Sequence, residues 1–354
     1  MRNALVNTLV TLVSLLVGFV GAEIGVRLLS GGGTLTVFRN YVADQEQWAG
    51  RWRVMRPDPN LGYVPRAGYS GDDQKFHQSY GADGFRLHNR DQPVNATPPI
   101  LVVGDSYAMG AEVDDDSTWP AYLQAATGRR VLNGAVPGYG IDQVVLRGEL
   151  LVPKVKPETL VVGVIADDVD RARMRILWGL QKPYFEIEGG KLVLRNVPLA
   201  EPELDPGLDP LRRVLGYSYL MDVAMRRLGY MSWWRRGQPS HIEPAHDQGD
   251  KVACLLMDRL AALRDRQSIK LVLVAQYSRQ TWETEEFRRK EVAVTQAVLA
   301  CAKARGIDTI DTYDAVAEAV RARGIEGSYT GIHMNPAGNK LTAGLIATWL
   351  NKHP

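Results

Sequence analysis

The chain has little cysteine and little net charge, and both shortages narrow its chemistry. Only two cysteines, Cys254 and Cys301, occur among 354 residues. They sit far apart in helix-like stretches, so there is neither a disulfide framework nor a C-x-x-C metal or redox pair. One bridge is open to them in an oxidising compartment, but the burial preference of cysteine favours two buried free thiols. Forty-two basic residues against 40 acidic ones leave a formal net charge of +2. That balance supplies no general field for a nucleic acid, and no such partner is expected. Histidine is scarce as well, at six. His241 and His246-Asp247 lie in a loop with Pro and Gly and without ligand spacing, so they read as solvated, and neither a metal nor a cofactor is expected. There is no internal repeat and no low-complexity tract. With 45% hydrophobic and 23% charged side chains, the chain can bury one large core or two modest ones.

Charge is also missing from Ala4 to Ala22. At about 1.5 Å per helical residue this run nearly matches a hydrocarbon core of about 30 Å. Arg2 and the α-amino group precede it, and Glu23 and Arg27 follow at i,i+4 spacing. The positive-inside bias then puts the N-terminus in the cytoplasm and everything after the run on the periplasmic side. Cleavage of a signal peptide at Val20-Gly21-Ala22 is the alternative. The run is long for such a segment, however, and its helical pattern continues through Leu28 and Leu29. The expectation is a single-pass membrane protein held through residues 4–29.

Residues 31–97, rich in Gly, Pro, Asp and Asn, read as an irregular, strand-poor lead-in after an anchor of residues 1–30. From residue 98 to 354 apolar runs of strand length alternate with helical patterns. Strands are expected at 99–103, 130–132, 159–165, 270–275 and 308–310, and helices at 118–126, 141–151, 250–266, 283–305, 312–323 and 336–351. Continuously apolar strands with helices between them imply an α/β fold, a doubly wound parallel sheet of about five strands in a three-layer α/β/α sandwich. An insertion of about 172–249 interrupts it and must have structure of its own. Within it Tyr184 to Arg195 alternates around Gly189-Gly190 as a hairpin should. Leu211 to Trp234 reads as one amphipathic helix, a basic lid packed on the domain, with a helix lying on a membrane surface as the alternative. Asp114-Asp115-Asp116 with Ser117 reads as the acidic entry and cap of the next helix. The run from Asp170 to Arg175 is either a solvated face or an anion contact. Trp178 with Lys182, Pro183, Tyr184 and Phe185 is either a sugar platform or packing.

Chemistry gathers where the first strand ends, in Gly104-Asp105-Ser106-Tyr107-Ala108-Met109-Gly110. Ligands of doubly wound sheets bind at the carboxyl ends of the strands, so Ser106 would face the crevice. A serine hydroxyl needs a base to act as a nucleophile. Of the histidines only His333 sits in a compact turn, Gly331-Ile332-His333-Met334-Asn335-Pro336, before a long helix.

Four blocks stand in order: Gly104-Asp105-Ser106 after the first strand, Asn133 to Gly138 after the second, Ala166-Asp167-Asp168 after the third, and Gly331-Ile332-His333 near the C-terminus. Together they resemble the SGNH/GDSL hydrolase family over about 98–169 and 250–352, and the resemblance implies a flavodoxin-like fold of that type. It also implies Ser106 as nucleophile, His333 as general base, and the backbone amides of Ser106 and Gly138 in an oxyanion hole. Two positions differ. Where the family has an oxyanion-binding asparagine, this chain has Asp167, whose ionised carboxylate cannot donate, and Arg171 or Arg173 is a candidate substitute. Three residues before His333, where the family has an orienting aspartate, stands Thr330, so a serine-histidine dyad assisted by a backbone carbonyl or by a carboxylate from elsewhere is the alternative; Asp105, Thr330 and Arg171 are the supporting candidates. The resemblance implies hydrolysis of an O-acyl ester, an O-acetyl group on carbohydrate being the expectation, through an acyl-enzyme. Acyl transfer to a cell-surface or exported polysaccharide, and a binding or assembly role on a decayed scaffold, are the alternatives. Composition and spacing say nothing of the oligomeric state.

Overall fold

Five short apolar runs make the central sheet: β1 (Ile100–Val103), β2 (Val131–Asn133), β3 (Thr159–Val164), β4 (Lys270–Ala275) and β5 (Asp308–Asp311). In the computed structural model, which describes residues 2–31, 34–38, 41–73, 75–88, 94–95, 97–202 and 208–353, they lie in the order β5-β4-β3-β1-β2. Every neighbouring pair is parallel. Ile100 and Val102 of β1 share one face and one cluster with Trp119, Leu123, Ile346 and Leu350. These come from α2 (Trp119–Thr127) and α8 (Pro336–Lys352), which pack on each other. Val103, one position out of phase, meets the opposite layer, where it lies near Gly148 of α3 (Ile141–Val155). That layer also holds α5 (Gly249–Gln267) and α6 (Glu285–Lys303), while α4 (Ala166–Arg171) follows β3 and α7 (Tyr313–Arg323) follows β5. Apolar residues at successive positions are therefore required by burial on both faces, and the α/β class expected from the sequence is the one found. The chain order reverses between β1 and β3, which opens a crevice at their carboxyl ends.

Two compact units are present. The larger comprises Arg53–Leu177, Gln181–Pro202 and Glu243–Pro354 and contains the sheet. It also contains two hairpins, Met55–Asp58 with Gly62–Pro65 and Ser70–Asp73 with Phe76–Ser79. The lead-in is thus not strand-poor. Its strands are four residues each, too short and too rich in Gly, Pro and Asp to show alternation. The hairpin Tyr184–Glu188 with Lys191–Arg195 forms as expected, its glycines both at positive φ.

The smaller unit comprises Met1–Trp52, Trp178–Leu180 and Glu203–Ile242. Its N-terminal helix runs from Arg2 to Leu29, and Val6–Leu29 is long and apolar enough to cross a membrane. Phe38, Leu208 and Trp234 form its small core. The expected single helix over 211–234 is instead three: Pro210–Leu215, Tyr219–Arg227 and Met231–Trp234. The breaks have visible causes. Ser218 caps the second helix by accepting from Met221 N, and Gly229, at φ 78°, ends it.

Cys254 and Cys301 are joined in a disulfide between α5 and α6, with Cα atoms 5.3 Å apart. The expectation of free thiols is corrected, because packing of two helices separated in sequence brings the sulfurs together. His241, expected in solvent, is buried, and His246 is half-buried with Nε2 2.8 Å from Phe185 O. Phe185 and Lys182 are buried too, Lys182 in an ion pair with Asp142, so these two members of the possible sugar platform serve packing. Among the described residues no group of three metal-ligating side chains occurs.

Burial drives the imidazole of His88 from an ordinary 6.5 down to about 4, with nearby Arg86 acting in the same direction. Between those two values the unfolded chain binds a proton that the folded chain excludes. Stability should therefore fall as pH drops from 6.5 to 4, by roughly 3 kcal/mol at most from this group. Guanidinium unfolding of wild type and His88→Leu at pH 7 and pH 4.5 measures it. The variant should lose less stability between the two pH values.

Candidate active site

Ser106 opens a single helical turn, α1 (Ser106–Met109), directly after β1. The turn starts there because Asp105 is its cap, accepting from Tyr107 N at 2.9 Å. Gly104 permits the close passage: a Cβ there would lie 2.9 Å from Gly163 O and 2.5 Å from Ala108 Cβ. Ser106 is 8% exposed, so it is largely shielded from solvent at the strand end.

The other half arrives from the C-terminus. Tyr329–Thr330 pairs antiparallel with His333–Met334. Asn335 then caps α8 by accepting from Ala337 N and Gly338 N, with Pro336 in the first turn. Asn339 donates to Met334 O at 2.8 Å and accepts from Trp119 N at 3.1 Å, which ties the segment to α2. Held in this way, His333 Nε2 lies 2.9 Å from Ser106 Oγ. Two side chains 227 positions apart thus meet at hydrogen-bonding distance.

Sequence reasoning missed the third member. His333 Nδ1 faces Glu112, whose Oε2 lies 3.4 Å away. The same oxygen accepts from the backbone amides of Ile332 and His333, at 3.1 Å each. At 3.4 Å the contact is a close ion-pair distance rather than an aligned hydrogen bond, and Nδ1 has no hydrogen-bond partner. Such contacts commonly shorten when substrate binds. Burial pushes the Glu112 carboxyl upward, but hydrogen bonds from His333 and Ile332 and the His333 charge outweigh it and hold the group below its ordinary range. Thr330, which stands where an orienting aspartate was sought, is exposed. The carboxylate comes instead from the loop just past Ser106, where no spacing rule would look for it.

Glu112 reaches the histidine because its loop bends sharply, with φ 86° at Gly110 and φ 60° at Glu112 itself. A non-glycine residue held there costs on the order of 1–3 kcal/mol. Arg86, 1% exposed, holds the bend. Its guanidinium donates to Met109 O, Gly110 O, Val113 O and Asp115 Oδ1. Asp115 is therefore the partner of a buried arginine, and the cap of α2 is Thr118, accepting from Ala121 N, rather than the preceding acidic run. Gly331 is required opposite: at φ 56°, a Cβ would lie 2.5 Å from Glu112 Oε2.

Arg171 sits among three carboxyls, Asp105, Asp167 and Asp168. Its Nη1 donates to Asp168 Oδ1 at 2.8 Å, Tyr139 O at 3.2 Å and Asp105 Oδ2 at 3.4 Å, so it fastens the loops after β1, β2 and β3 together. One guanidinium serves two fully buried carboxyls. Burial and the neighbouring Asp105 charge consequently push the Asp168 carboxyl well up. Arg173 pairs with Asp170 at 2.6 Å. Asp167 projects outward, its side chain 62% exposed and 3.6 Å from Arg171. Gly138, at φ 77°, lies in the loop after β2, whose Val136 N donates to Gly104 O at 3.0 Å. That bond sets the loop beside the strand end that carries Ser106.

No protein-family description matches the chain, and no curated protein matches it. Among solved structures it is similar to an alpha/beta hydrolase from the metagenome of Lake Arreo, Spain, at 14% identity over 72% of this chain and 96% of that one, TM-score 0.45. A member of the lipolytic G-D-S-L family from Veillonella parvula matches at 12% identity over 72% and 98%, TM-score 0.42. A catalytic mutant of an acetylxylan esterase from Geobacillus stearothermophilus matches at 14% over 73% and 95%, TM-score 0.42.

Proposed function

We propose that the chain is a serine-type ester hydrolase acting on an O-acyl ester through an acyl-enzyme, anchored by its N-terminal helix with the larger unit outside the cytoplasm. The observation that carries the enzymatic reading is the line Ser106 Oγ, His333, Glu112, at 2.9 Å and 3.4 Å on opposite ring nitrogens. With the Nδ1 proton facing Glu112, Nε2 is free to accept the serine proton as Oγ attacks the acyl carbon. The imidazolium formed is stabilised by the carboxylate, and it then protonates the departing alkoxide. Water, deprotonated by the same Nε2, attacks the acyl carbon; the bond to Ser106 Oγ breaks, Oγ takes the proton back from Nε2, and the acid is released. The amides of Ser106 and Gly138 are the proposed oxyanion donors. Glu112, 3.4 Å behind the histidine, supports an active site over a decayed scaffold.

The test is to incubate the full-length protein in detergent with p-nitrophenyl acetate and a serine-directed phosphonate. Turnover, with the phosphonyl group mapped to Ser106, is expected. Absence of both would leave a binding protein.

Asp167 leaves the third donor of the family pattern unfilled. Asp167→Asn should raise kcat on p-nitrophenyl acetate by about tenfold, below the 10² to 10³ that one donor is worth, because its side chain points largely to solvent. A lower rate would mean that the carboxylate acts by steadying Arg171.

A further inference from the structure

The smaller unit contains an arrangement that hydrolysis does not use. Glu23, on the N-terminal helix, accepts from Ser218 Oγ at 2.8 Å, Tyr219 N at 2.8 Å and Leu220 N at 2.9 Å. It thereby serves as an added cap for the helix Tyr219–Arg227. Arg27, one turn on, donates to Tyr217 O at 2.6 Å and lies over the Tyr219 ring, 4.6 Å from its centroid. Thr36 Oγ1 donates to Gly216 O at 2.8 Å. These bonds fix the height of residues 216–220 along the helix axis: they sit level with Glu23 to Arg27.

That height has a physical meaning if the helix spans a bilayer. The run without charge ends at Ala22, and Leu29 lies about 9 Å beyond Glu23 at 1.5 Å per residue. The headgroup layer on each side is about 5–7 Å deep. Residues 216–220 therefore fall within that layer and not above it.

The surface of this unit matches the layer. Leu211, Val214, Tyr217, Leu228 and Tyr230 are between 56% and 69% exposed. Segment 208–242 carries six arginines against two aspartates and no lysine or glutamate. Arg212 and Arg235 are paired with those aspartates. Six arginines against two aspartates leave a surplus, to which Arg213 and Arg227 contribute; Arg226 shares Asp222 with Arg235, at 3.7 Å, and its side chain is 67% exposed. Apolar and aromatic side chains beside arginines, at the end of an apolar helix, are the chemistry of an interfacial surface.

We infer that segment 208–242 lies in the interface of an anionic phospholipid bilayer, its exposed apolar side chains in the acyl boundary and Arg213, Arg226 and Arg227 on lipid phosphates. The assignment rests on the anchor reading of the N-terminal helix. It is tested on the full chain in nanodiscs of mixed phosphatidylethanolamine and phosphatidylglycerol, with a nitroxide on single cysteines placed at Leu211, Val214 and Leu228. The native cysteines are bonded to each other and take no label. Collision with a water-soluble nickel chelate should be several-fold lower at these sites than at a label on exposed Leu194 of the larger unit, and collision with oxygen higher. Equal nickel access at all sites would overturn the interfacial surface. A label at Leu12 reports on the anchor separately: if it too is open to nickel, the spanning reading fails first. Replacing phosphatidylglycerol by phosphatidylcholine should raise nickel access at Val214, and no change would overturn the phosphate contacts.

Discussion

Glu112→Gln should lower kcat on p-nitrophenyl acetate by about 10² to 10⁴ and change KM by no more than a few-fold. The range has a structural origin. If the glutamine oxygen stays on the amides of Ile332 and His333, the loop and the Nδ1 tautomer survive and only the charge behind the imidazolium is lost. If the amide turns its N–H toward Nδ1, the ring adopts the other tautomer, Nε2 carries a proton, and the serine has no acceptor. Thr330→Ala should leave the rate within a few-fold, because that side chain faces solvent. The pH dependence carries a sign as well. Glu112 is held below its ordinary range, so the wild-type advantage should persist as pH falls to the usual glutamate value and shrink only below it. A Glu112→Gln variant within threefold of wild type would remove the carboxylate from the mechanism.

Arg86→Ala should destabilise the larger unit by about 3–5 kcal/mol, the scale for deleting one member of a buried ion pair. The loss comprises the Asp115 partner, left with a 15% exposed carboxylate, and four backbone carbonyls, those of His77, Met109, Gly110 and Val113. Arg86→Lys should recover only part of it, because a single ammonium cannot span the positions that the guanidinium fork reaches. Where the alanine variant still folds, kcat should fall more than substrate affinity, since the bend that presents Glu112 has lost its brace. Urea unfolding followed by intrinsic fluorescence, together with steady-state kinetics in the folded baseline, checks both. A stability change under 1 kcal/mol would show that the bend holds itself.

The sheet was legible in the sequence because its strands are buried on both faces, and no polar residue interrupts Ile100–Val103 or Leu160–Val164. Ser106 and His333 were legible because strand ends, glycines and Pro336 fix the backbone locally. Glu112 was not, since its approach to His333 depends on a positive φ at a non-glycine residue, and that in turn depends on an arginine from the segment read as lead-in. The acidic run beside it drew the eye to Asp114–Asp116, of which Asp115 turned out to neutralise that arginine. Pairing of Cys254 with Cys301 depends on how α5 and α6 lie against each other, which no single helix encodes. In the segment 211–234 the breaks could have been read from Gly216, Ser218 and Gly229, but the amphipathic period concealed them.

Hydroxyl and carboxylate here ride on one short stretch of chain, and only the imidazole comes from afar. On the proposed mechanism, position 330 then has no duty toward the ring, and an exposed threonine suffices there. A genome survey that demands an acidic residue three places ahead of the histidine would discard chains built like this one as inert, whereas a filter that also admits an acid a few positions past the serine would keep them.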